Sequence, residues 1–269
     1  MKINPFGFLL VAVALVTFPT VASSKTINVC SIAADAMTGS ILLEEGDCDL
    51  RTTPASTFKI AISLMGFDAG ILKDEHRPAR PFVEGYADWI KAWHHTTDPS
   101  RWITYSVVWY SRFITMALGT ERFSRYVHEF AYGNQDVHGN PGKDDGLANA
   151  WLASSLEISP REQLEFLRKV VAEKLPVSPY AYEKTRALLD LGLRGDGWRV
   201  YGKTGSAPSR DENGNLVMDK PWGWFVGWAE KAGRTIVFAR LTRDTNKPVT
   251  HPGPAARDAV IQNLLSGKL

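Results

Sequence analysis

Segments that favour β-strand lie near both ends of this chain with a long helical stretch between them, and that order narrows the fold more than any single motif. Residues 27–33 and 40–45 favour strand on either side of a Met37-Thr38-Gly39 turn. Three further β-rich runs, 198–203, 222–230 and 235–242, come late, and a last helix is expected over 255–265. Helical patterns cover 56–69, 104–118 and 120–130, the first stopped by Gly70 and the second by Gly119. Ser159-Pro160-Arg161-Glu162 is a capping box with proline at the first helical position, and its helix should carry Leu164, Leu167 and Val171 inward. Ser178-Pro179 opens another helix, expected to end at Gly192. The stretches 73–100 and 132–149 read as mostly loop. The expected class is α+β: an antiparallel sheet with both chain ends contributing, flanked by N- and C-terminal helices, plus an inserted all-helical lobe. A site between the two lobes is the natural place for a cleft.

Two motifs carry chemistry suited to that cleft. Ser56-Thr57-Phe58-Lys59 puts a hydroxyl and an amine on one helix face, one turn apart. A serine left alone is a poor nucleophile near neutral pH, and an adjacent base is what it lacks. If the serine opens the helix, free backbone N–H groups and the helix dipole favour negative charge at the same spot. Nucleophile, base and part of an anion hole then come from four residues, which reads as an acyl-transfer site. Far downstream, Lys203-Thr204-Gly205 answers it from a β-rich run. A Ser-x-x-Lys pair is expected roughly once by chance in a chain this long, and Lys-Thr-Gly in well under about one chain in ten. Ser106-Val107-Val108 lies between them in a helix-turn context. The conjunction, in this order, is specific.

Further pieces sharpen it: Tyr132-Gly133-Asn134, Trp151-Leu152 followed by Ser154-Ser155-Leu156, and Gly223-Trp224-Phe225-Val226-Gly227. With these, the pattern resembles the penicillin-recognising serine enzymes and, within them, the class D (oxacillinase-type) serine β-lactamases. The resemblance implies that Ser56 Oγ attacks a lactam carbonyl, with Lys59 as the base. A protonated lysine cannot accept a proton, so its pKa must fall, and an apolar pocket achieves this by penalising the charged form. Phe58, Val108, Trp151 and Leu152 could build its walls. In this class the neutral lysine captures CO2, so the resemblance implies a carbamate (N6-carboxylysine) at Lys59, with the Trp151 indole N–H as its hydrogen-bond partner. The same base would activate the water that releases the acyl group, so Glu157 is given a surface or helix-approach role.

The resemblance also implies an oxyanion hole from the backbone N–H groups of Ser56 and Ser206. Ser106 would relay the proton to the leaving lactam nitrogen, and Lys203 and Thr204 would hold the substrate carboxylate. An arginine near the C-terminus would join them: Arg257, with Arg243 as the alternative. Penicillin- and oxacillin-type antibiotics are the implied substrates, resistance the implied outcome, and CO2 or bicarbonate the implied requirement, with no other cofactor. Tyr132-Gly133-Asn134 reads as a wall-shaping turn, and Trp222 and Trp224 as packing. The chain departs from the family where Ile60-Ala61-Ile62 follows Lys59, and where Trp109-Tyr110-Ser111-Arg112 stands in a stretch that often holds glutamine.

Composition bounds the rest. At 269 residues and a formal net charge of +2, the chain offers no basic tract and no electrostatic case for nucleic acid. Lys2, the apolar run 6–16 and Val21-Ala22-Ser23 read as a cleavable leader over 1–23, implying an exported, periplasmic protein whose single catalytic domain covers 24–269. No other stretch is apolar enough to span a membrane. Cys30 and Cys48 bracket the first hairpin and can bridge in an oxidising compartment. His94 and His95 are adjacent rather than spaced for one metal, and no metal is expected. No unusual apolar face names an oligomeric state.

Two rivals stand against the hydrolase. Residues 197–204 match the phosphate-binding pattern Gly-x-x-x-x-Gly-Lys-Thr, which needs a helix after the lysine, and Gly205-Ser206-Ala207-Pro208 opens one poorly. Closer is a β-lactam sensor or penicillin-binding transpeptidase, with the same site but slow deacylation.

Overall fold

The structure, a computed structural model, describes Met1, residues 25–248 and residues 250–266. The expected leader, apart from Met1, and any N-terminal flanking helix lie outside the described residues. The chain runs β1 (Thr26–Asp35), β2 (Ile41–Gly46), α1 (Lys59–Asp68), α2 (Pro99–Tyr105), α3 (Val108–Glu129, broken at Gly119 as expected), α4 (Gly146–Asn149), α5 (Pro160–Val171) and α6 (Pro179–Leu189). It then forms β3 (Asp190–Arg194), β4 (Trp198–Arg210), β5 (Leu216–Lys231), β6 (Arg234–Asp244) and α7 (Pro252–Asn263).

The two chain ends do share one sheet. Its order is β2-β1-β6-β5-β4-β3, with every neighbouring pair antiparallel. β1 forms a hairpin with β2 and, on its other edge, pairs with β6 in a register that sets Ile32 opposite Ala239. The β1–β2 turn is closed by Asp35, whose carboxylate accepts from the backbone N–H groups of Met37 and Thr38.

Alternation along β6 separates two cores. Ile236 and Phe238 join Val200, Phe225, the α7 residues Ala256 and Val260, and Leu264 just past the end of α7 on one face. Val237, Ala239 and Leu241 join Trp224, Val226 and the helical lobe, including Leu164 and Leu167 of α5, on the other. Central strands covered on both faces read as near-continuous apolar runs, which is why β5 and β6 are conspicuous in sequence. The capping box at Ser159 and Glu162 is formed as expected. Val170 joins the buried face of α5, and Val171 packs partly buried against the same core.

Several boundaries differ from the sequence reading. The helix expected over 104–118 is cut at Ser106, which adopts φ +58°, so α2 ends at Tyr105 and α3 begins at Val108. The true start of α2 is marked by Asp98, whose side chain accepts from Arg101 N, followed by Pro99. The helix expected to end at Gly192 stops at Leu189, because Asp190–Arg194 turns into an edge strand on β4. β4 and β5 outrun the expected β-rich runs because their tips also pair, Ser209 with Val217 and Arg210 with Leu216.

Cys30 and Cys48 are disulfide-bonded, tying β1 to the segment just past β2. Replacing both by alanine removes a cross-link that spans 18 positions in sequence. The double variant should lose about 3 kcal/mol of unfolding free energy in a urea titration under oxidising conditions.

Candidate active site

Ser56 lies in a 3-10 turn, Ala55–Phe58, that runs directly into α1. Ala55, just before it, adopts a left-handed φ of 50°, which sets the angle at which the chain presents the serine. Lys59 opens α1, and its Nζ donates to Ser56 Oγ at 3.0 Å. The side chain is fully buried, at 0% exposure. Its pKa is held well below the ordinary lysine value, first by burial and then by the positive charge of Lys203. A neutral amine can accept as well as donate, so the Ser56–Lys59 contact can carry the serine proton to nitrogen.

β4 brings the second motif against this turn. A side-chain carbon on Gly205 would sit 3.1 Å from both Pro54 O and Thr57 Cγ2. From the other side, a Cβ on Gly253 would fall 2.7 Å from Gly205 O, and Gly253 N donates to Ser206 Oγ at 3.0 Å. The strand is thus clasped between the serine turn and the first turn of α7, a fit that requires glycine at residue 253 and is tight for any side chain at residue 205. Lys203 is 5% exposed and approaches Thr204 O at 3.2 Å and Thr204 Oγ1 at 3.4 Å. Its pKa is lowered to about 7, first by burial and then by the charge of Arg257. Arg257 itself pairs with Asp258, whereas Arg243 lies over the Trp222 ring at 5.1 Å.

Ser106 stands at the left-handed break between α2 and α3, and its Oγ is buried without a hydrogen-bond partner. The Trp151 indole Nε1 is in the same position, buried and unpartnered. Phe58 packs at 5.7 Å from the Trp151 ring, and Val108 and Leu152 belong to the same apolar cluster. Most buried polar atoms in proteins are paired, so unpaired ones beside the Ser56–Lys59 pair single out a place where a ligand could supply the partner.

The chain matches the penicillin binding protein transpeptidase domain family over residues 20–266. It is 43% identical to the β-lactamase OXA-9 of Klebsiella pneumoniae, over 98% of this chain and 97% of that protein. Against the β-lactamase OXA-1 of Escherichia coli the identity is 35%, over 88% and 84%. The crystal structure of the OXA-427 class D β-lactamase superposes with a TM-score of 0.82 at 46% identity, covering 87% of this chain and 96% of that one. This chain belongs to the class D serine β-lactamases.

In this class D β-lactamase the phosphate-loop alternative fails on geometry, since Gly202-Lys203-Thr204 lies inside β4 and the strand continues to Arg210. Tyr132 is core: its ring packs 5.0 Å from both Phe58 and Phe166. Asn134 accepts from Glu157 N at 3.0 Å and donates to Ser155 O at 2.8 Å, so the Tyr132-Gly133-Asn134 turn fixes the neighbouring loop. Trp224 is buried, and its indole N–H donates to Thr53 O at 3.0 Å.

Sequence reasoning missed several supports of the β-lactamase site. Thr53 Oγ1 donates to Trp151 O at 2.8 Å and accepts from Ala153 N at 2.9 Å, fastening the Trp151 turn to the segment before Ser56. Arg112 holds the same turn from α3, through Ala148 O at 3.1 Å and Asn149 Oδ1 at 2.7 Å. Behind the serine turn, Gln163 Nε2 donates to Thr57 Oγ1 at 2.9 Å and to Tyr132 Oη at 3.1 Å. Only Gln163 left a signal, as a polar residue on the inward face that Leu164 and Leu167 define.

Thr53→Val keeps the shape but leaves Trp151 O and Ala153 N without their partner, and should cost about 2 kcal/mol in chemical denaturation. Lys203 gives a pH prediction. With its folded pKa lowered to about 7 from 10.5, the unfolded chain holds a proton that the folded chain lacks between those values. Stability should therefore rise as pH increases through that window. The rise should be shallower in Lys203→Met, as read from unfolding midpoints below about pH 9.5, before tyrosines ionise.

Proposed function

We propose that the chain hydrolyses β-lactams of the penicillin and oxacillin type through a Ser56 acyl-enzyme, with Lys59 as general base for acylation and deacylation. The observation that carries this reading is the fully buried, proton-shedding Lys59 amine 3.0 Å from Ser56 Oγ. The relatives named β-lactamases support the substrate class. In this reading Ser106 passes the proton to the departing lactam nitrogen. The Ser56 and Ser206 backbone N–H groups stabilise the oxyanion, and Lys203, Thr204 and Arg257 orient the substrate carboxylate. Near pH 7 Lys203 is poised, so an approaching carboxylate would restore its charge at the moment of binding.

Carbamylation of Lys59 by CO2 fits the residues present: a neutral buried amine to react, and an unpartnered indole N–H on Trp151 in the same apolar cluster. The carbamate would supply a stronger, negatively charged base where a bare amine has only a lone pair. Export of the chain, with residues 1–23 removed and 24–269 acting as one catalytic domain in the periplasm, completes the proposal.

The second reading, a sensor or transpeptidase with slow deacylation, draws on the transpeptidase-domain match. Penicillin hydrolysis followed over time as bicarbonate is titrated separates them. Sustained turnover that rises with bicarbonate is the expected result. A single stoichiometric burst that stalls would favour the sensor or transpeptidase. Lys59→Ala should lower turnover by about 10²–10⁴-fold with the fold retained, and substantial residual activity would remove Lys59 as the base. Turnover should also fall as pH drops through the depressed Lys59 pKa, because the protonated amine can neither accept a proton nor capture CO2.

A further inference from the structure

A groove on the α7 side of the sheet, away from the helical lobe, takes no part in the chemistry above. It is a cavity of about 380 Å³ between β1, β2, β6 and the last turns of α7. Leu43, Phe238, Val260 and Leu264 give it apolar walls. Into that lining β6 sets Arg240, opposite Ser31 of β1 and two residues along from Phe238, hence on the same face of the strand.

The guanidinium is poorly provided for. Nη1 donates to Ser31 Oγ at 2.7 Å, and Ser31 Oγ in turn donates to Asn28 Oδ1 at 2.9 Å. Nε is buried with no partner. Burial pulls the pKa of Arg240 down, opposed by the charge of Glu45, which also lines the groove. Yet Glu45 makes no ion pair with Arg240, and neither does any other carboxylate among the described residues. An arginine does not shed its proton. A partly desolvated cation with no counter-ion is costly to hold, and an incoming anion would relieve that cost.

We propose that this groove is a binding site for an organic monocarboxylate with an apolar body. The carboxylate pairs with the Arg240 guanidinium while the hydrocarbon lies along Leu43, Phe238 and Val260. Glu45 sets the charge that is accepted: one negative group is matched by Arg240, and a second would face a carboxylate. The cavity is at the small end of the range that holds small ligands, about 300–1,000 Å³, which suits a short chain rather than a long lipid.

The probe is octanoate, titrated calorimetrically into the mature protein with thermal unfolding in parallel. Octanamide serves as the uncharged counterpart and suberate as the dianion of equal length. Octanoate is expected to bind and raise the unfolding midpoint, with octanamide and suberate at least about tenfold weaker. Arg240→Gln should lose octanoate binding to the same degree while hydrolysing a β-lactam at the wild-type rate. The comparison of three ligands on the unaltered protein stands even if that variant folds poorly. Equal binding of octanamide, binding retained in Arg240→Gln, or no binding at millimolar octanoate would overturn the site. Displacement of octanoate by a β-lactam would also overturn it, by placing the anion at Lys203.

Discussion

Everything at the centre of this molecule depends on keeping the Lys59 amine out of water. An exposed lysine three residues after a serine would be protonated and useless as a base; buried between the helical lobe and β4, the same group gives up its proton far more readily. The cost of that burial is spread over the structure. Phe58, Trp151 and Tyr132 build the dry wall, and each is itself fully buried. Thr53 and Arg112 then fasten the turn that carries Trp151 from two sides. The hydrophobic core is in this sense the device that sets the lysine's chemistry.

The sheet contributes position more than chemistry. β4 is held between the serine turn and α7 at distances that exclude a side chain at residue 253 and crowd one at residue 205. That clasp puts Lys203 close enough to depress Lys59, and Arg257 close enough to depress Lys203. Burial and mutual repulsion both disfavour the charged forms of Lys59 and Lys203, and an incoming carboxylate would restore the charge of Lys203.

Much of this was legible in the sequence because it is local. The serine and lysine lie within one turn, the capping box is four residues, and buried strands announce themselves as apolar runs. Features made by partners distant in sequence were not. The edge strand β3 exists because Asp190 and Leu193 find Tyr201 and Arg199 on β4, and the chain alone gives no hint of it beyond a helix end. The left-handed turn at Ser106 has no glycine to mark it. Thr53 looks like any threonine before a proline until Trp151 is folded against it. The same holds for Arg240, which sits in a strand pattern as one polar residue among apolar ones and shows its lack of a counter-ion only when β1 and α7 are in place.

The pairing of β1 with β6 has a consequence for how the chain comes into being. A ribosome delivers the first hairpin long before the strand that completes its other edge, so no intermediate of synthesis can close the sheet. Until nearly the whole polypeptide has emerged, β1 must stay either unpaired or guarded, because an open strand edge invites association with other chains. A topology that postpones closure in this way leaves the sheet incomplete until β6 has been made.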